Sequence, residues 1–222
     1  MREGRVTCSQ CRGIGLQFDR KTARRDLGRY RRRGPAGTTR KLIRMLAADG
    51  VAGRTFLDVG GGVGAIQHEL IGAGASGGTH ADASPAYLAA SRAEAERRGH
   101  ADRVRYVGGD FLEVHHQVQP ADIVTLDRVV CCYPDMQGLI DASASRARRS
   151  LGLVYPRDGL WVRAIFDLVN LLQRLRRHPF RVFVHRTEDV ERRVAAHGLF
   201  KRAHARGLLW QVVVFGRADP QA

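Results

Sequence analysis

Four aspartates recur along this 222-residue chain, each closing a short apolar run. They are Asp58, Asp82, Asp110 and Asp127. A carboxylate accepts hydrogen bonds from hydroxyls and amines and attracts cations. Three alternate glycines, Gly60, Gly62 and Gly64, follow the first of them. Glycine lets the backbone turn at positive φ and lets a ligand lie against bare main chain. Ala65 to Ile71 reads as the first turns of a helix, whose N-terminus presents free N–H groups. Strand, glycine turn and helix in that order form the entry to a nucleotide-type site.

The glycines alone leave the ligand open. Gly60-x-Gly62-x-x-Ala65 fits a dinucleotide pattern, and Gly60-x-Gly62-x-Gly64 fits an S-adenosylmethionine pattern equally well. Asp58, at the mouth of the turn, would repel a pyrophosphate and attract an amino group or a sulfonium. It could equally cap the turn by accepting backbone N–H bonds. Asp82 lies at the interval after the glycines where an acid grips ribose hydroxyls. Asp110-Phe111 offers an acceptor for an exocyclic amine beside a ring that can stack on a base.

The elements that must position these residues are legible. Strands are expected over about 54–59, 78–82, 103–107, 122–126 and 151–155, with helices between them. The strand ending at Asp58 leads into the glycine turn. Ser84-Pro85 is an N-cap with proline at the first helical position. A helix is expected from Met136 to Ser150, and Thr187 is expected to cap another that ends at Gly198. This β–α alternation predicts an α/β fold, a doubly wound, mostly parallel sheet with right-handed crossovers. In such sheets ligands bind at the C-terminal edge of the strands, where all four aspartates would lie.

The stretches Leu57-Asp58-Val59-Gly60-Gly61-Gly62-Val63-Gly64, Asp82-Ala83-Ser84-Pro85 and Gly109-Asp110-Phe111 resemble the class I, Rossmann-like, S-adenosylmethionine-dependent methyltransferases. They fall in that family's order and spacing over roughly 55–135. The resemblance implies S-adenosyl-L-methionine as methyl donor, with Asp58, Gly60, Gly62 and Gly64 at its methionine end. It implies Asp82 and Ala83 at the ribose, Asp110 and Phe111 at the adenine, and Asp127 at the cofactor as well. It also implies that 199–215 forms a C-terminal hairpin whose last strand is antiparallel. More narrowly, Asp122 to Pro134 is similar to magnesium-protoporphyrin IX O-methyltransferases, matching at Leu126-Asp127 and Tyr133-Pro134. Cys132 stands where that family has a histidine, and Tyr30 is off the point of its arm tyrosine.

Residues 1–37 read as a basic arm, irregular except for one helix over about 20–32, and 38–222 as the methyltransferase domain. The arm helix, with Leu27 and Tyr30 as its large apolar anchors, is expected to be a solvated arm or a lid. Residues 159–186 read as a substrate-side insertion. Within it, 159–177 forms a helix with one polar stripe and a wide apolar face that could pack on the sheet, cap an apolar substrate or lie on a membrane surface. Arg181 to Val184 is expected to be extended. Asp127, Cys132 and Tyr133 are the catalytic candidates, and no metal site is expected. The acceptor is expected to be small and hydrophobic or anionic, methylated at oxygen.

The formal charge is +15, carried almost wholly by arginine. The arginines are spread and do not alternate with aromatics as a base-stacking surface requires, so a nucleic-acid partner is not expected. A nucleic-acid methyltransferase and a nicotinamide-dependent oxidoreductase are the competing readings. Cys8-x-x-Cys11 has a zinc or redox spacing, but no second pair completes a site. With no spanning apolar run and no leader-like start, a soluble cytoplasmic protein with reduced thiols is expected.

Overall fold

The central strands carry nearly continuous buried runs whose successive side chains point to opposite faces, and this builds one sheet with two covered faces. The computed structural model describes residues 9–217, with side chains from residue 13 onward; Cys8 and the side chain of Cys11 lie outside the described residues. The strands are β1 (Thr55–Val59), β2 (Gly77–Asp82), β3 (Val104–Gly108), β4 (Ala121–Asp127), β5 (Ala147–Pro156), β6 (Leu199–Arg206) and β7 (Trp210–Arg217). Their order across the sheet is β3-β2-β1-β4-β5-β7-β6. β1 to β5 run parallel, and β7 is antiparallel to both β5 and β6.

Nine helices accompany the sheet among the described residues: α1 (Ser9–Gln17), α2 (Arg20–Arg33), α3 (Gly37–Ala47), α4 (Ala65–Gly72), α5 (Pro85–Arg97), α6 (Phe111–Val114), α7 (Met136–Ala144), α8 (Leu160–Leu175) and α9 (Thr187–Ala195). On one face Leu57, Val124, Leu126 and Leu153 pack with Leu139 and Ile140 of α7 and Val190 and Val194 of α9. On the other, Phe56, Ile123, Val154 and Val212 pack with Leu42 and Leu46 of α3 and Ile66 and Leu70 of α4. All these side chains are buried. Strand order reverses between β1 and β4, which opens a crevice at the ends of these strands.

Four local expectations are corrected. The arm contains a helix, α1, ahead of the expected one. The helix from Met136 stops at Ala144, not Ser150, because Ala147 to Pro156 pair with β4 and β7 at once. That double ladder outweighs the helix preference of an Ala-Ser-Arg run. Residues 181–184 form no strand; Asn170 instead clips Val182, donating to its carbonyl at 2.7 Å and accepting from its N–H at 2.9 Å. Thr187 does not cap α9 but begins it, and its N–H donates to Asp158 at 2.9 Å. Ser84 does cap α5 with Pro85 at its first position, accepting from the Tyr87 N–H.

Candidate active site

The turn after β1 closes on itself. The Gly60 N–H donates to Ala81 O at 2.7 Å, and the Gly64 N–H to Gly61 O at 2.9 Å. Gly60, Gly62 and Gly64 all have positive φ, between 58° and 80°. A cavity of about 400 Å³ opens above this turn. Gly60, Gly61 and Gly62 form part of its floor, and Asp82, Ala83, Gly109, Phe111 and Asp127 stand along its edge. Gly64 lies outside the lining, as the residue from which α4 springs.

The four aspartates are not equivalent. Asp82 lines the cavity, and its carboxylate accepts from the Gly62 N–H at 2.9 Å and the Ser84 N–H at 2.8 Å. Burial raises its pKa to about 6 against the pull of those two bonds. Asp127 also lines the cavity; one oxygen accepts from the Thr39 hydroxyl, and Oδ1 is buried without a hydrogen-bond partner among the described residues. Burial raises its pKa as well. Asp110 is set back from the cavity, capping α6 through the Leu112 N–H and meeting the Tyr133 hydroxyl. Phe111 alone of that pair reaches the lining.

Asp58 is corrected outright. It neither reaches the cavity nor caps the turn, but lies wholly buried beneath it. Its Oδ1 accepts from Thr125 Oγ1 at 2.7 Å, and its Oδ2 has no hydrogen-bond partner among the described residues. A Cβ on Gly61 would stand 2.4 Å from that Oδ2. Burial lifts the Asp58 pKa to about 7, with Asp127 and Asp82 adding to the rise.

Below the turn lies a polar layer that sequence reading missed. Gln67 links Ser91, Tyr106 and His80, at 2.8, 3.1 and 2.9 Å. His68 pairs with His100 at 2.9 Å. Burial depresses the pKa of both His68 and His80 to about 3, so both are neutral. Scattered single histidines and one glutamine carry no sequence pattern; only the fold brings them together.

The arm covers the cavity. Ile14, Phe18, Asp26, Arg29 and Tyr30 all line it. Its α2 is strapped to α4 and α5 by the Tyr30 hydroxyl on Glu69 (2.8 Å), the Tyr87 hydroxyl on Asp26 (2.6 Å) and Arg31 on Glu94 (2.8 Å). Glu94 is buried among Arg31, Arg97 and Arg98, which hold its carboxyl well below the usual range. The other wall is aromatic and aliphatic: Phe166 from α8, Phe180 and Val182 after it, and Trp210 from β7. Phe166 meets the Trp210 ring edge to face at 5.9 Å.

Tyr133 and Cys132 both line the cavity. Tyr133 is buried, its hydroxyl accepts from the Phe111 N–H at 3.3 Å, and burial beside Asp110 pushes its pKa up. Cys132 donates to Arg128 O at 3.4 Å. Cys131 beside it is buried, with its thiol pKa raised by the bond to Cys132 and by burial. The Tyr133 hydroxyl also meets the Asp110 carboxylate, and the Cys132 thiol hydrogen-bonds with that of Cys131, so both side chains are held in place within the lining. Arg128, absent from the sequence candidates, holds a left-handed backbone (φ 63°). Its guanidinium donates to Thr38 Oγ1 at 2.6 Å, lies 5.3 Å from the Trp210 ring centroid and approaches Asp127 at 3.8 Å. Strain of this kind in a non-glycine residue collects at functional sites.

An open seven-stranded sheet with a glycine turn after its first strand, strand-end acids and an antiparallel β7 is the Rossmann-like fold of class I methyltransferases. Residues 57–155 match the family described as Methyltransferase domain. Among solved structures it is similar to magnesium protoporphyrin IX methyltransferase from Synechocystis. With bound S-adenosylhomocysteine that protein is 20% identical, over 90% of this chain and 100% of that one, at a TM-score of 0.68. With bound S-adenosylmethionine the values are 17%, 96%, 99% and 0.69. An O-methyltransferase family protein from Burkholderia thailandensis is 16% identical, over 92% of this chain and 63% of that one, at 0.68. Among curated proteins none matches this sequence. The cofactor of the family is S-adenosylmethionine.

The cavity suits that cofactor. Bare glycine backbone forms the floor, Asp82 stands at the edge with two backbone hydrogen bonds, and the buried carboxylate of Asp127 lies in the lining beside Thr39 and Arg128. A buried carboxylate at the lining attracts a cationic amine or sulfonium.

Proposed function

We propose that the chain methylates an oxygen of a small, largely apolar acceptor that carries an acidic group. The observation that supports this reading is the continuity of one cavity. Its glycine end suits the donor, while Phe166 and Trp210, with Arg128 beside them, and Phe180 also line it. A solved protein of the same fold is named for a porphyrin, which is a flat acceptor of that kind.

When bound, S-adenosylmethionine supplies a methyl group on a sulfonium. Gly60 to Gly62 and Asp127 would hold its methionine end, Asp82 and Ala83 the ribose, and Phe111 the adenine. The chain's own contribution is to align the acceptor oxygen and to keep water out, which α2 and α8 do as walls of the cavity. A carboxylate acceptor needs no base, whereas an alcohol or phenol would need one, and Asp127 is the carboxylate of the lining beside Arg128. Arg128, stacked on Trp210, would fix the acid of the acceptor as a charged donor.

Two results are expected. Asn tolerates a left-handed backbone, so Arg128→Asn keeps the turn and removes the charge. Steady-state kinetics should show the acceptor KM raised by about 10- to 100-fold, the loss of one charged hydrogen bond. The dissociation constant for S-adenosylhomocysteine should change by less than about threefold; an unchanged acceptor KM would remove the anionic-acceptor reading.

Binding of S-adenosylhomocysteine should also tighten as pH rises through about 6 and level off near 7, as Asp82 ionises. Calorimetric titration from pH 5 to 8 reads this directly, and a flat profile would contradict the role of Asp82. Stability is a poorer readout. The raised pKa of Asp82 and Asp58 contributes stability below about pH 4 that is lost as pH rises through 6 and 7. The lowered pKa of His68 and His80 contributes stability above about 6.5 that is lost as pH falls towards 3. The two pairs oppose one another over the same window.

A further inference from the structure

Helix α8 is packed on one side only. Val162 is fully buried, Phe166 lines the cavity, and Asn170 clips the backbone of Val182. These contacts fix how the helix is rotated. The opposite side then carries Leu160 (86% exposed), Trp161, Ile165, Leu168 (57%), Leu172 and Leu175 (72%), with Leu171 among them. At 100° per residue these positions fall in an arc of about 140°, and the remaining member of that arc is Ala164. No polar residue interrupts it. Arg163, Asp167, Asn170 and Arg174 lie together along one flank.

An uncovered apolar face of this size marks an interaction surface. The helix has 16 residues and a polar flank, and no described helix is long and apolar enough to cross a membrane. The residues outside the described range, 1–8 and 218–222, contain no apolar run that could cover it. Charge points to the occupant. Between 157 and 181 there are six arginines against two aspartates, and Arg174, Arg176 and Arg177 are exposed where the helix ends. The β6–β7 turn, hydrogen-bonded to Arg157, adds Leu208 at 76% exposed. An apolar arc bordered by arginine is the pattern of a helix lying in the plane of an anionic bilayer. A second copy of the chain would bring the same positive charge against itself.

We propose that α8 seats the protein on an anionic lipid surface, with its apolar arc among the acyl chains and its arginines at the headgroups. The inner side of the same helix is a wall of the cavity, so this seating places the acceptor end of the site against the bilayer, where an apolar acceptor partitions.

The test is flotation of the full chain with phosphatidylcholine vesicles, with and without roughly a third phosphatidylglycerol. Leu168→Glu/Leu172→Glu alters two exposed positions outside the cavity, and a melt with S-adenosylhomocysteine checks that it folds. The wild type should float with the anionic vesicles, and Trp161 fluorescence should shift to the blue. The double variant should lose at least about tenfold in partitioning while it still binds S-adenosylhomocysteine. Arg174→Ala/Arg176→Ala/Arg177→Ala should bind more weakly, as wild type does in about 0.5 M salt. No flotation with anionic vesicles overturns the proposal. So does flotation that the two glutamates leave unchanged, which would be surface charge alone. A dimer in sedimentation that the glutamates dissociate, without vesicle binding, would assign the face to a second copy instead.

Discussion

Gly64→Ala is expected to destabilise the protein by about 2–5 kcal/mol, the sum of a left-handed backbone penalty of about 1–2 and an overpacking cost of about 1–3. Gly64 has φ 80° at the start of α4, which an L side chain resists. Its Cβ would also stand 2.4 Å from Ser91 Oγ and 2.8 Å from both Gln67 Nε2 and His68 Nε2. Ser91 and Gln67 are buried and bonded to each other, and His68 is buried and bonded to His100, so the layer under the turn has little room to retreat. The melting temperature should fall by roughly 5–15 °C. Donor affinity should fall with it, because the same layer holds the glycine floor in place. Gly72→Ala is the control. Gly72 is helical with open space at its Cβ, and the change should leave the melting temperature unchanged or raise it slightly. Thermal denaturation of both variants decides this. A Gly64→Ala protein that melts with the wild type would contradict the packing described beneath the turn.

Asp82→Ala is expected to weaken S-adenosylhomocysteine binding at least about a hundredfold, the loss of two charge-assisted hydrogen bonds at about 1.5–3 kcal/mol each. Two effects combine. The ribose hydroxyls lose their acceptor, and the Gly62 and Ser84 N–H groups lose theirs, which loosens the floor of the cavity. Asp82→Asn separates them. It keeps one acceptor oxygen and the volume, so binding should be intermediate and should no longer change with pH around 6. Calorimetry on the three proteins measures both quantities. An alanine variant that binds within about threefold of wild type would remove Asp82 from the site.

What could be read beforehand follows from what each residue's type constrains. The turn from Gly60 to Gly64 was legible because positive φ restricts the choice to glycine, and the structure shows that φ at all three alternate positions. The sheet was legible because parallel strands buried on both faces need apolar runs, and acids at their ends mark the edge where they stop. The direction in which a strand-end side chain points was not legible. Asp58 and Asp127 both end strands, yet Asp58 turns beneath the glycines to Thr125 while Asp127 turns into the cavity. Long-range polar contacts were equally hidden. The arm looks solvated because arginine dominates its composition, but Tyr30 and Asp26 reach partners 39 and 61 residues away. Arg128 carries no signal of strain until its backbone is seen. For α8 the apolar period was plain, whereas the side that packs is set by Val162, Phe166 and Asn170.

The central claim is that the cavity above the glycine turn holds S-adenosylmethionine through Asp82. Calorimetric titration of the wild-type chain at pH 7.5 with S-adenosylhomocysteine, with NAD as the competing ligand, tests it most directly. Saturable binding of one S-adenosylhomocysteine per chain, abolished in Asp82→Ala and absent for NAD, is the predicted result. Binding of NAD with none of S-adenosylhomocysteine, or an Asp82→Ala protein that binds as wild type does, would contradict it.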